Sequence, residues 1–211
     1  MRDTENFWTE FSERCGELSG EIPSDEAVDY LLECLRRIDP RLHYHLGSRD
    51  ARTDLILSAE GHPDLMPVLQ ELKQSAPSLD GWGIVISYDG MLIFGERNIE
   101  VFPITENGDV LFRMALRGDR LWISRPVTFS VVFPSLPDAS AFAEHIAGAN
   151  SRCEVSEYHG AKGFSHQTEV TTNIVATHEA VTDYEDYLGS VATKFGGRND
   201  GWGCFVSDEQ S

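Results

Sequence analysis

One four-residue string occurs twice in this chain: Asp80, Gly81, Trp82, Gly83, and again Asp200, Gly201, Trp202, Gly203. Each copy follows an amphipathic helical pattern by one turn and opens an apolar, strand-like run. Each also has a serine four residues beyond its second glycine, Ser87 and Ser207. Glycine reaches backbone angles closed to other residues and permits close approach of a neighbouring chain. Asp bonds nearby amides in turns, and Trp joins a large apolar body to a single N–H donor. The string therefore predicts a helix-to-strand turn used twice, and with it a chain made of two related halves. The plain reading of the two tryptophans is architectural, covering a sheet end; the functional one is an exposed anchor for a protein partner.

The length of 211 residues leaves room for two small domains. Apolar residues at 41% and aromatics at 10% suffice for packed cores. Lys and Arg total 17 against 35 Asp and Glu, a net charge of −18. An excess of that size disfavours phosphate backbones and anionic membrane surfaces. We therefore expect neither direct nucleic-acid nor membrane binding. Cys15, Cys34, Cys153 and Cys204 make no CxxC pair and no zinc-finger spacing, and read as free thiols. The acidic N-terminus has no apolar signal segment and no window approaches a membrane span, so a cytoplasmic location is the expectation.

Hydrophobic periodicity gives the elements. Phe7, Phe11, Cys15 and Leu18 form a helical stripe, and Ser24 caps a second helix lined by Val28, Leu31, Leu32, Leu35 and Ile38. A hairpin of strands over 42–46 and 54–59 follows, then a helix opened by Pro63, then a strand over 82–88 returning as 91–94. Residues 101–104, 110–116 and 121–123 read as three further strands, joined by hairpin turns at Asn107–Gly108 and Gly118–Asp119. A new pattern starts at Arg125–Pro126, which sets the expected boundary between domains 1–125 and 126–211. The second reads as strand 127–133, helix 137–147, strand 152–158, strand 167–177, a helix with a Thr182/Glu185 capping box, and strand 200–206. That β-α-β-β-α-β order is ferredoxin-like. The expected fold class is α+β, two α/β sandwich domains with antiparallel sheets.

The C-terminal stretch resembles the bacterial family of regulators of ribonuclease E activity B (RraB). The resemblance rests on Leu188, Ala192, Lys194 and Phe195 followed by Asp200, Gly201, Trp202 and Gly203, with an acidic residue at Asp208. It implies a small acidic ferredoxin-like domain that binds an endoribonuclease and inhibits it without being an enzyme. It also implies that an extra domain stands here in place of the family's acidic N-terminal helix. Residues 1–125 resemble an uncharacterised bacterial domain found before RraB-like domains, through Trp8, Asp39–Pro40, Ile56 to Ala59 and Ala76–Pro77 followed by Gly81–Trp82.

The leading functional reading is thus a non-catalytic regulator or adaptor that binds a protein partner, an endoribonuclease with a basic surface. Its acidic groups would imitate a nucleic acid: Asp183, Glu185 and Asp186 at a helix start, Asp200 and Asp208 near the last strand, with Trp202 beside them. The alternative is a small-molecule-binding protein or hydrolase with a site between the domains. No GxSxG elbow or phosphate-binding glycine loop supports that alternative. His43 and His45 share one face of a strand, where Asp54 or His62 would be the third ligand of a metal. Solvent-facing strand histidines are the commoner case, so no metal and no cofactor are expected.

Overall fold

The computed structural model describes residues 2–19, 23–49, 52–148 and 150–205. Its contacts divide the chain into two compact units, residues 1–101 and 102–211. Both are mixed α and β, as the sequence predicts. No helix among the described residues is long and apolar enough to cross a membrane.

The first unit starts with α1 (Arg2–Leu18) and α2 (Asp25–Arg36). Phe7, Trp8, Phe11 and Leu18 are buried, because one stripe of α1 faces inward. The Trp8 indole N–H donates to the Leu72 carbonyl at 3.0 Å and fixes α1 onto the core of this unit. Ser24 caps α2 as its sequence position predicts, accepting from the Ala27 N–H. Strands β1 (His43–Arg49) and β2 (Arg52–Ser58) form the expected antiparallel pair. A 3-10 turn at Pro63–Leu65 and α3 (Met66–Gln74) lead to β3 (Trp82–Ser87).

Two expectations for this unit are corrected. Its sheet is mixed, in the order β1-β2-β3, because β3 lies directly beside β2 and parallel to it. The α3 crossover brings the chain back in the same direction, which an antiparallel return cannot do. The returning strand at 91–94 is instead a 3-10 turn, Gly90–Phe94, capped by Asp89 accepting from Met91 N–H and ended by Gly95 in the left-handed region.

The second unit holds α4 (Glu106–Leu116), β4 (Arg125–Phe133), α5 (Leu136–Ile146), β5 (Ser151–Glu157), β6 (His166–Ile174), α6 (His178–Ala192) and β7 (Arg198–Cys204). The last six elements give an antiparallel sheet in the order β5-β6-β4-β7, the ferredoxin-like arrangement. Val127, Phe129, Val131 and Phe133 alternate along β4 into the core. There they meet Phe142, Val170, Leu188 and Ala192.

The region before β4 departs most from the sequence reading. Residues 110–116 are helix, part of α4, and neither 101–104 nor 121–123 is strand. Asn107–Gly108, read as a hairpin turn, is the first turn of α4. Thr105 caps that turn by accepting from the Gly108 N–H at 3.0 Å. The unit therefore begins at Phe102, and Arg125–Pro126 lies inside it. There a buried ion pair ties the stretch after α4 to β4. Arg125 Nη1 meets Asp119 Oδ1 at 2.6 Å, and the same guanidinium donates to the Arg120 carbonyl.

The helix starts also shift. Thr177, not Thr182, caps α6, accepting from the Ala180 N–H. Gly196, with φ of 70°, closes the following 3-10 turn Thr193–Phe195.

Candidate functional site

An open cleft in the second unit is built by the N-terminus of α4, one face of α6 and the bulged strand β7. Its lining includes Asn107, His178, Thr182, Glu185, Asp200 and Trp202. His178, Thr182 and Glu185 stand at i, i+4 and i+7 and so share a helix face. Strand β7 shifts register against β4 between Ser130 and Val131. The extra residue of this bulge is Asp200, between Asn199 paired with Val131 and Gly201 paired with Ser130, and bulges redirect side chains at sheet edges. Gly201, with φ of 114°, takes an angle that a side chain would strain.

Asn107 joins the three elements. Its Nδ2 donates to Glu185 Oε2 at 2.7 Å and to Thr182 Oγ1 at 3.2 Å. Its Oδ1 accepts from the Trp202 indole N–H at 2.8 Å. Asn199 Nδ2 donates to the Glu185 backbone carbonyl at 2.7 Å, and the Thr105 hydroxyl lies 2.9 Å from His178 Nε2. Burial pushes the Glu185 carboxyl above its ordinary range, and the nearby charges of Asp186 and Glu106 push the same way; the Asn107 bond opposes them. Trp202 is half-buried, with its body against the core of the unit and its one donor used by Asn107.

Of the residues expected to meet a partner, the structure gathers Glu185, Asp200 and Trp202 at this cleft. Asp183 and Asp186 are exposed on other faces of α6. They do not sit at a helix start, because α6 begins at His178. Asp208 lies outside the described residues. Sequence reading missed Asn107, whose signal was the cap residue Thr105 followed by Glu106 and Asp109 in a first helical turn.

The match with known proteins falls on this unit. Residues 104–204 match the family model of the regulator of ribonuclease activity B. The RraB-like region thus starts just inside the unit boundary at 101/102 and ends with β7. It takes in α4, so a helix precedes β4 within the matched region. A search among curated proteins finds no match to this chain.

In the first unit the other DGWG tryptophan, Trp82, is also half-buried, edge-on to Phe11 at 4.9 Å. His43 and His45 do share a strand face, but neither expected third ligand joins them. Asp54 is buried and paired with Arg52 at 2.9 Å, and His62 is exposed. The carboxylate beside the two imidazoles is that of Glu60.

Proposed function

We propose that this protein is a regulator that works by binding another protein, and that its partner is an endoribonuclease of the ribonuclease E kind. The observation that carries this reading is the family match over residues 104–204, coincident with one complete folded unit. The cleft beside α4, α6 and β7 is the contact surface. Glu106, Glu185 and Asp200 supply negative charge there, and Trp202 supplies an aromatic face. Such a set suits an arginine or lysine side chain, which pairs with carboxylates and stacks on an indole ring. The net charge of −18 adds long-range attraction for a basic surface. Catalysis is no part of this reading; the chain acts by occupying its partner.

The test uses the purified full chain and purified ribonuclease E. Binding is followed by surface plasmon resonance at low and high salt, and cleavage of a labelled RNA is timed with and without the chain. The reading expects binding that weakens as salt rises and cleavage that slows in proportion to occupancy. Asp200→Asn and Trp202→Phe are expected to speed dissociation. Absence of binding at low salt overturns the reading.

A further inference from the structure

His43 and His45 alternate along β1 and project from one face of the sheet. Their rings lie 5.3 Å apart between centroids. Glu60 stands just beyond the end of β2, beside them, and its Oε1 is 3.3 Å from His45 Nε2. One nitrogen from each imidazole and one Glu60 oxygen all lie within 4.8 Å of one another. Among the described residues this is the single group of three such ligands.

The surroundings fix these three groups in place. Glu60 has φ of 46°, the only non-glycine residue with a positive φ among those described. That conformation is uncommon for a residue with a side chain, and clusters at functional sites. It is held from several sides: the Glu60 N–H donates to Ser58 Oγ, Gly61 N–H to the Tyr88 carbonyl, and the Tyr88 hydroxyl to the Gly61 carbonyl. The His45 ring lies close against Gly90, where an added Cβ would come 2.1 Å from its Cδ2. Asn98 Nδ2 bridges Glu60 Oε2, at 3.4 Å, and Asp89 Oδ2, at 2.8 Å. Asp89 is itself fully buried. His43 Nδ1–H donates to the Tyr44 carbonyl at 2.9 Å, which leaves Nε2 as the nitrogen with a free lone pair.

We propose that His43, His45 and Glu60 form a binding site for a divalent transition metal of the zinc type. Two imidazole nitrogens and one carboxylate oxygen are the ligand set, and water or a further ligand would complete the coordination. Tetrahedral ligands at roughly 2.0–2.1 Å from zinc stand about 3.3–3.4 Å apart, and the His45–Glu60 separation already has that value. The outer partners follow the usual pattern. A backbone carbonyl takes the second N–H of His43, and Asn98 orients the carboxylate. Buried Asp89 stands behind the site and accepts from Asn98 Nδ2. The bare ion pair of His45 and Glu60 accounts for neither the aligned His43 nor the left-handed Glu60.

The test is zinc binding by the full chain carrying no histidine tag, by equilibrium dialysis with metal analysis and by calorimetry. The expected result is one zinc per chain. The double variant His43→Ala/His45→Ala and the single variant Glu60→Gln lose at least tenfold in affinity, while His159→Ala binds as the parent does. Asn98→Ala, which removes only an outer partner, weakens binding roughly 10- to 100-fold. A readout that needs no variant is the imidazole ¹⁵N spectrum during zinc titration. Only two of the seven histidines are expected to shift. Zinc stoichiometry well below one, undiminished binding in the folded double variant, or shifts at other histidines overturns the proposal.

Discussion

The two units share an element order. In the first, α2-β1-β2-α3-β3 runs helix, hairpin, helix, strand, and in the second α5-β5-β6-α6-β7 repeats it. In the second unit the DGWG string lies within the last strand, in the first the last strand starts inside the string at Trp82, and in both the first glycine is left-handed, with φ of 77° at Gly81 and 114° at Gly201. The difference is one strand. In the second unit β4 lies between β6 and β7, so every neighbour is antiparallel. Among the described residues the first unit has no inserted strand, and β3 pairs with β2 directly and in parallel. The same local string thus serves two sheets, and what each residue of it must do depends on the neighbour. Gly83 faces Asp54 across the parallel pair, where an added Cβ would stand 2.1 Å from that carboxylate. Gly203 faces Thr128 and has open space around it.

The sharpest way to separate the units is to unfold one of them. Arg125→Ala removes the partner of buried Asp119 and is expected to cost about 3–5 kcal/mol. Amide exchange should then accelerate across β4–β7 and leave β1–β3 protected; acceleration in both units would show that they unfold as one. The two second glycines are next. Gly83→Ala is expected to destabilise by about 1–3 kcal/mol through overpacking, and Gly203→Ala to stay within about 0.5 kcal/mol. Equal costs in urea denaturation would break the distinction drawn between the two strings. Trp202→Phe keeps an aromatic ring, though a smaller one, and leaves Asn107 Oδ1 without its donor, a loss of about 1 kcal/mol for the hydrogen bond to be read as a lowered denaturation midpoint.

The smallest effect concerns pH and has opposite sign in the two units. His45 beside Glu60 holds that carboxyl below its ordinary range, while burial holds Glu185 above it. The Glu60 contribution is complete above the unfolded value of about 4.3 and fades as pH falls through the lower folded value. The Glu185 contribution is complete below about 4.3 and fades as pH rises through the higher folded value. Urea midpoints of Glu60→Gln and Glu185→Gln across pH 3–7, compared with the parent, should diverge in opposite directions.

Much of this was legible in the sequence. The period-two core of β4 and the Ser24 cap act locally, and the structure repeats them. The region 101–125 was not legible. Asn107–Gly108 and Gly118–Asp119 carry the chemistry of hairpin turns, and the apolar run between them suits a strand as well as a helix. Thr105 capping and packing of Leu111 decide for the helix. Asn107 disappeared from the site with that error. Glu185, Asp200 and Trp202 were found because each lies on an element that the pattern identifies. Asp183 and Asp186 went astray because the cap is Thr177, one turn earlier than expected. His43 and His45 could be paired from their spacing alone. Glu60 could not, since only a left-handed backbone angle brings its carboxylate round to them.

The Arg125–Asp119 pair also governs how the molecule can be dissected. A fragment starting at Pro126 would respect the repeating strand pattern and yet shed Asn107, the residue that links α4, α6 and β7. One starting at Arg125 would carry a guanidinium into the interior with no counter-charge. A fragment starting at Phe102 keeps both arrangements intact. Limited proteolysis should accordingly leave a durable piece beginning near Phe102, with no stable product beginning near residue 126.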